Sequence, residues 1–451
     1  MDSYMKAEII KSSSKSITLQ VTIPLSADML SSEEAIQQGV NLVGLLATEH
    51  SLSRFDTDGT PIEIDDKKYT SKGQFSKTYQ CPFGEFEFYR HVYQSNEGGS
   101  TYCPLDNDAR ILVSSTPKFA KTVSQKYSQI GCRQVQRDLE ENHSRSISRT
   151  YIQDISAAVE EVASSKPWKY STGIEPSEVS SVGISLDGAC MLLRKDGWRV
   201  AMVGSISLYD GKGERLHTTY IAQAPEYGKE TFLRDFEKEI AATKKLYQGK
   251  TYVGVADGAA DNWKFLQKHA EVQVLDFYHA TEYLAKASNA AFKRKSEGKE
   301  WLKKSCHTLK HEEDGAKILL EEMLEMTKKK ISQAKKEEIE TSITYFTNHL
   351  HQMNYSSHVL EKIPIGSGVV EAACKVIVKQ RMCNSGMRWT EEGANNVLVL
   401  RCFNETDGKW KQFWDKVIRW GYYTRLGNKL RYQTVEIPDL TRSPILFYFP
   451  C

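Results

Sequence analysis

Two short apolar runs, each closed by an aspartate, constrain this chain more than any other feature. Thr251-Tyr252-Val253-Gly254-Val255-Ala256 ends in Asp257-Gly258, and Val272-Gln273-Val274-Leu275 ends in Asp276. Short runs with little polar alternation are typical of strands buried on both faces, and such strands sit in parallel sheets covered by helices. Upstream the pattern changes to alternation. Residues 182–186, 198–208 and 215–222 read as three strands, the first reaching Asp187-Gly188 and the second closed by the turn Tyr209-Asp210-Gly211-Lys212-Gly213, a hairpin signal. Between the two groups, residues 229–246 offer Phe232, Phe236, Ile240 and Leu246 for the buried stripe of a helix.

Three antiparallel strands, a helix, a strand, a helix, a strand and a further helix are the order of a ribonuclease H-like plan. The expected fold class is therefore α/β, with a catalytic core over residues 178–280 and 364–402. Residues 281–363 read as a helical, lysine-rich insertion placed before the last helix of the core. Residues 1–108 read as mixed α+β, with a helix near 31–48 and an alternating strand over 85–93. Residues 109–165 turn helical. Within them, 132–139 and 146–152 flank the polar turn Asn142-His143-Ser144-Arg145, which fits a helix-turn-helix with Arg133, Arg145 and Arg149 on DNA phosphates. An ordinary αα-hairpin with a solvated basic face fits equally. A linker covers 164–177. The aromatic-rich end, 403–451, carries Trp410, Phe413, Trp414, Trp420, Tyr422 and Tyr423 and reads as a packed cap or as a dimer surface.

At 451 residues the chain is long enough for two to four domains of roughly 150 residues each. Its 60 Lys+Arg and 58 Asp+Glu leave a net charge of +2, which argues against a purely electrostatic coat for nucleic acid. Charge is nonetheless local. Between Lys286 and Lys310 eight Lys/Arg face two Glu, a net of +6 that includes Lys293, Arg294 and Lys295. Such a run is commonly a solvated helix face, but clustered cations also release counterions when they meet a duplex. The nine cysteines are odd in number, scattered and without a CxxC pair, as expected of reduced thiols in the cytoplasm. No apolar leader and no run near the roughly 18 residues of a membrane span is visible. Neither GxxxxGK[ST] nor a strand-following GxGxxG is present.

Asp187 and Asp257 are expected at strand ends, where ligand-binding groups converge in open α/β sheets. A third acid is expected on a following helix, and Glu371 in Gly366-Ser367-Gly368-Val369-Val370-Glu371 fits, with Ser367 as helix cap. Lys375 and Lys379 then share its face, which suits a site holding both a divalent cation and phosphate. Plainer readings exist: Asp-Gly is a common turn, and a glutamate near a helix N-terminus is favoured by the dipole alone. Asp276 and His279, three apart, read either as a helix cap with a first-turn histidine or as an acid that orients a catalytic imidazole. Two ligands do not make a zinc site.

These blocks carry a family resemblance. Val255-Ala256-Asp257-Gly258-Ala259, Leu275-Asp276-Phe277-Tyr278-His279, Gly366-Ser367-Gly368-Val369-Val370-Glu371, Arg381 and Gly386-Met387-Arg388-Trp389 resemble the ISKra-type bacterial insertion-sequence transposases. Those are DDE transposases allied to the Mutator-like superclass, with its D-x-x-H signature. The resemblance covers residues 105 to 420. It implies a ribonuclease H-like core, Asp187, Asp257 and Glu371 as the metal-binding triad, Asp276 and His279 as an accessory pair, and a helical insertion before the glutamate. Magnesium, or manganese in its place, would be the cofactor. Terminal inverted repeats and target DNA would be the partners, bound by a homo-oligomer at the nucleoid. Lys375, Lys379, Arg381 and Arg388 would then hold DNA backbone, and Trp389 would stack on an unpaired base or belong to the core. A structure-specific nuclease and a non-catalytic DNA-binding descendant are the rival readings. Relatives often carry a cysteine pair before Cys103-Pro104-Leu105-Asp106. Here residues 93–99 are Tyr-Gln-Ser-Asn-Glu-Gly-Gly, so no zinc is expected.

Overall fold

The computed structural model describes residues 4–420 except Asp65, Lys166, Pro167, Tyr227 and Lys330. Part of the expected linker, Tyr422, Tyr423 and the rest of 421–451 lie outside the described residues, as does the side chain of Trp420. The chain is mixed α/β with several sheets, and its contacts divide it into two compact units, Met1–Tyr170 with Trp410–Cys451, and Ser171–Lys409.

In the first unit β1 (Lys6–Ser12) and β2 (Ile17–Thr22) form an antiparallel ladder followed by helix α1 (Met29–Ser53). Strands β3 (Ile62–Ile64), β4 (Lys67–Cys81), β5 (Gly84–Ser95) and β6 (Thr101–Tyr102) make a four-stranded antiparallel sheet in that order. Leu52 of α1 meets Tyr79, Cys81 and Phe86 of the sheet in one apolar cluster. After the short helix α2 (Pro104–Asp108) come α3 (Pro117–Gln129), α4 (Cys132–His143) and α5 (Arg149–Ser164). Each turns one apolar face inward: Phe119 and Val123, then Val135 and Leu139, then Ile152, Ile155 and Val159 are all buried. Helix α4 stops where Ser144 takes a left-handed conformation (φ 51°). Helix α5 begins three residues later than its sequence suggested, at Arg149, because the Ser148 side chain accepts the Tyr151 N–H and caps it there.

In the second unit β7 (Ser181–Leu193), β8 (Gly197–Tyr209) and β9 (Arg215–Gln223) run antiparallel, and helix α6 (Glu230–Leu246) crosses to β10 (Thr251–Ala256). Helix α7 (Ala260–Leu266) leads to β11 (Val272–Leu275). The sheet order is β11-β10-β7-β8-β9, with β10 parallel to both β7 and β11. The stripe expected on α6 is buried at Phe232, Phe236 and Ile240, while Leu246 is exposed. At roughly 1.5–3 kcal/mol per fully buried side chain, that stripe holds the helix to its sheet.

Helices α8 (Phe277–Ala291), α9 (Lys295–His311), α10 (Gly315–Thr327) and α11 (Gln333–His349) follow, then α12 (Tyr355–Leu360). A single apolar cluster runs from Val182, Ile184, Val253 and Val255 of the sheet through α6 into Leu284, Leu309, Leu319 and Phe346. The helical insertion thus shares the core of the sheet instead of forming its own. Helix α13 (Gly368–Ala373) continues through a π-helical segment (Cys374–Lys379) into α14 (Gln380–Met382), and α15 (Glu391–Glu405) closes the unit. The last helix, α16 (Lys409–Trp420), buries Trp410, Phe413, Trp414 and Val417, and Phe413 meets Trp168 edge-on at 6.4 Å within the first unit. Of the two readings of the aromatic end, the packed one holds for these residues. No helix among the described residues is long and apolar enough to cross a membrane.

Candidate active site

Strand register lines up two of the aspartates. β10 pairs with β7 as Gly254 with Ile184, and with β11 as Ala256 with Leu275. Continuing the second register past the end of β10 sets Asp257 level with Asp276. Asp257 and Asp276 thus follow the matched ends of β10 and β11, while Asp187 lies on β7 beyond its last pair with β10. Asp187 is not at a strand end, as expected from its sequence, but midway along β7, opposite Val203 of β8. The parallel pairing of β7 with β10 stops at Ile184, and the β7–β8 hairpin runs on beyond it, so Asp187 lies three residues past the last parallel pair.

Asp276 is fully buried. Its Oδ1 accepts from the backbone N–H of His279 at 2.8 Å and from His279 Nδ1 at 3.2 Å, and its Oδ2 accepts from the Ser367 N–H at 2.5 Å. Three donors and the N-terminus of α8 offset the cost of a buried carboxylate. Since a carboxylate only accepts, the His279 proton facing it sits on Nδ1. Burial is the largest influence on His279 and lowers its pKa, but the hydrogen bond and charge of Asp276, with the charges of Glu282 and Asp257, together outweigh it and raise the pKa above the ordinary histidine value.

Glu371 enters from α13. Ser367 precedes that helix but makes no side-chain cap bond to it. Its hydroxyl donates instead to Glu371 Oε1 at 2.7 Å, while its own N–H holds Asp276. One serine therefore fixes two acids from different elements. His279 Nδ1 lies 3.9 Å from Glu371 Oε1. Asp276, His279 and Glu371 are the one group of three or more potential metal ligands among the described residues whose ligand atoms all lie within 4.8 Å of one another. The set Asp187, Asp257 and Glu371 does not meet that spacing. It offers only carboxylate oxygens, which suit hard cations such as magnesium, whereas an imidazole in the set suits softer ones.

Two further contacts complete the floor. Cys374 Sγ sits 3.6 Å from Asp187 Oδ2. Burial first, and then the Asp187 charge, push this thiol well above the usual cysteine range, so it stays protonated as a weak donor. Cys374 opens the π-helical segment, a distortion frequent at functional sites. The Tyr345 hydroxyl of α11 donates to the Asp257 carbonyl at 2.9 Å, and its ring stacks on Tyr283 at 3.7 Å. Gly258 next door has φ +101° and faces the Tyr345 hydroxyl, so a side chain there would be strained twice. The Ser367 hydroxyl, Cys374 and Tyr345 were not marked as site residues by sequence. Only Ser367 lay within a recognisable block; the other two are brought in by packing.

The cations divide sharply. Lys375, Lys379, Arg388, Lys293, Arg294 and Lys295 are exposed in the second unit, as are Arg133 and Arg149 in the first. Arg145 is not. It is 6% exposed, its guanidinium donates to the Cys81 carbonyl and to Gln80, and it lies 5.2 Å over the Phe119 ring. Arg381 is 1% exposed and packs 5.1 Å over Trp389. Trp389 is itself anchored: its N–H donates to the Leu192 carbonyl, its carbonyl accepts the Arg194 N–H, and its indole donates to the Met382 carbonyl at 2.9 Å. These three residues hold the fold together in the positions expected to touch DNA, because each side chain found a backbone carbonyl or ring inside the protein first.

No protein-family model matches this chain, and no curated protein matches it. The geometry of the site is what carries a functional reading.

Proposed function

We propose that the second unit is a ribonuclease H-like catalytic domain and that the chain is a DNA transposase of the DDE kind, similar to the ISKra-type enzymes. The single observation that carries this reading is the close grouping of Asp276, His279 and Glu371 at the end of β11, beside the matched end of β10 that leads into Asp257. The strand order supports the finer fold assignment, since three antiparallel strands followed by two parallel ones is the ribonuclease H arrangement.

On this reading Asp187, Asp257 and Glu371 would hold magnesium, or manganese in its place, which when bound supplies charge stabilisation to the attacking and leaving oxygens of a phosphodiester. The residues of the chain do the rest. Asp276 fixes the His279 tautomer, which keeps the proton on Nδ1 and leaves Nε2 to meet a phosphate or leaving oxygen. Ser367 restrains the Glu371 carboxylate, and Cys374 orients that of Asp187. The exposed Lys375, Lys379, Arg388 and the lysines and arginine at 293–295 would meet DNA backbone. The three-helix layer α3–α5, with Arg133 and Arg149, would bind terminal repeats, and synapsis of two ends would assemble a homo-oligomer.

The test is incubation of the full chain with magnesium and DNA carrying the element ends. Cleaved ends joined to a target plasmid are expected, and Asp257→Asn should reduce joining about a thousandfold. Full joining by that variant sinks the triad. Cleavage without joining identifies a nuclease, and binding with neither identifies a DNA-binding descendant.

A further inference from the structure

We propose that the distal half of the β7–β8 hairpin is a stacking platform for unpaired DNA bases, with Trp198 as its stacking side chain. The inference deepens the DNA-processing reading and rests on it for the role of the platform. It rests on the hairpin alone for the binding.

The hairpin is unusual in how far it runs past its sheet. β10 pairs with β7 only over residues 181–184, and β9 reaches only as far as Met202 on β8. From there β7 and β8 continue as a two-stranded ribbon to Leu193 and Gly197, bridged at the outer edge of β7 by Trp389 beside Leu193. A two-stranded ribbon is marginal in water unless one face is packed, and one face is: Ala189, Met191 and Leu193 are buried. The opposite face is not. Trp198 is 62% exposed and Val200 46%, across from Leu192 and the exposed Cys190. Gly188 keeps this face flat, because a Cβ there would meet the Val200 methyl at 2.4 Å.

The end of the hairpin that carries the indole is cationic. Arg194 and Lys195 form the turn with Asp196, and Arg194 donates to the carbonyl of the exposed Arg388 at 3.3 Å, while Arg199 projects from the opposite face and donates to the Trp198 carbonyl at 3.1 Å. Arg194, Lys195 and Arg388 against Asp196 leave a net of +2 at the hairpin end that carries the exposed indole. Association of two copies through this face would set like charges against each other. A base stacked on the indole with its phosphates among the arginines satisfies both features, which is how sequence-tolerant single-strand binders are built. Trp389 had been the stacking candidate by sequence, but its indole N–H is bonded to Met382 and one ring face is covered by Arg381.

Distance gives the platform a place. Trp198 pairs with Leu192, five residues along β7 from Asp187. At about 3.3 Å per residue that is roughly 17 Å, or roughly five nucleotides of stacked strand at 3.4 Å each. The platform would hold unpaired bases about five nucleotides from the phosphate at the carboxylates.

The experiment compares the full chain with Trp198→Ala by fluorescence anisotropy, without magnesium. The probes are a fluorescein-labelled blunt duplex and the same duplex with a single-stranded 3′ overhang. Trp198→Ala should lose roughly tenfold in affinity for the overhang probe, keep its affinity for the blunt one, and melt at the wild-type temperature. Trp198→Phe should restore most of the loss. Unchanged overhang binding in Trp198→Ala overturns the proposal, and so does a loss confined to concentration-dependent self-association. Because no strand joining is read, Trp198-dependent overhang binding in a chain that never joins DNA would keep this inference and remove the transposase reading.

Discussion

The acids at the sheet and the arginines of the helical layer α3–α5 were marked from the same sequence for the same purpose, and the fold treated them differently. Asp257 and Asp276 follow the ends of β10 and β11 at one level because their spacing of 19 residues coincides with the strand register, and Asp187 lies three residues beyond the last pair of β7 with β10. Strand pairing is periodic, so once the strands are assigned the relative position of residues at their ends follows. On the helices no such rule holds. Arg133 and Arg149 reach solvent, while Arg145, between them, is folded onto Cys81 and Gln80. A long side chain on a helix or turn takes whichever partner lies within its reach, and that is set by a different part of the chain. Arg149 teaches the complementary lesson. A cation in the first turn of a helix is disfavoured by the dipole, and Arg149 stands exposed there at the start of α5.

If the acids at the sheet are catalytic, Asp257→Asn abolishes joining by the roughly thousandfold given above while leaving the melting temperature near that of wild type. Arg145→Ala should do the reverse. It leaves the Cys81 carbonyl without its donor and is expected to cost about 2 kcal/mol of stability, read as a shifted denaturant midpoint of the first unit, with DNA affinity lost only as far as folding is lost. Arg149→Ala should leave stability unchanged, weaken DNA binding modestly for every sequence, and lower the slope of log affinity against log salt by about one. A wild-type salt slope in that variant would remove the helical layer from the interface.

The smallest effect concerns pH. His217 and His358 both have pKa values lowered, chiefly by burial, so each is held neutral in the folded chain. The unfolded chain binds the proton more readily, so their contribution is complete above the ordinary histidine pKa near 6.5 and is lost as pH falls below it. His279 acts oppositely, its pKa being raised. Melting temperature should therefore decline below about pH 6.5, and the decline should flatten in His217→Gln and His358→Gln. A decline that persists in both variants would assign it to other groups.

The sequence alone was enough for the five strands of the second unit and the main helices of both units, because those follow from periodicity, from apolar runs and from turn residues that act over a few positions, whereas β1 (Lys6–Ser12) and β2 (Ile17–Thr22) of the first unit were not read from it. Asp276 with His279 was legible for the same reason: a cap and a residue three positions on share one helical turn. What only tertiary structure decided involves reach between distant segments. It decided that β7 continues past Asp187, that Ser367 turns its hydroxyl to Glu371 instead of to the helix, and that Cys374 and Tyr345 join the site. It also decided that Arg145, Arg381 and Trp389 serve the fold while Trp198 remains exposed. Local spacing specifies which residues share a face, whereas burial, and hence whether a side chain is spent inside or left for a partner, depends on what the rest of the chain brings against that face.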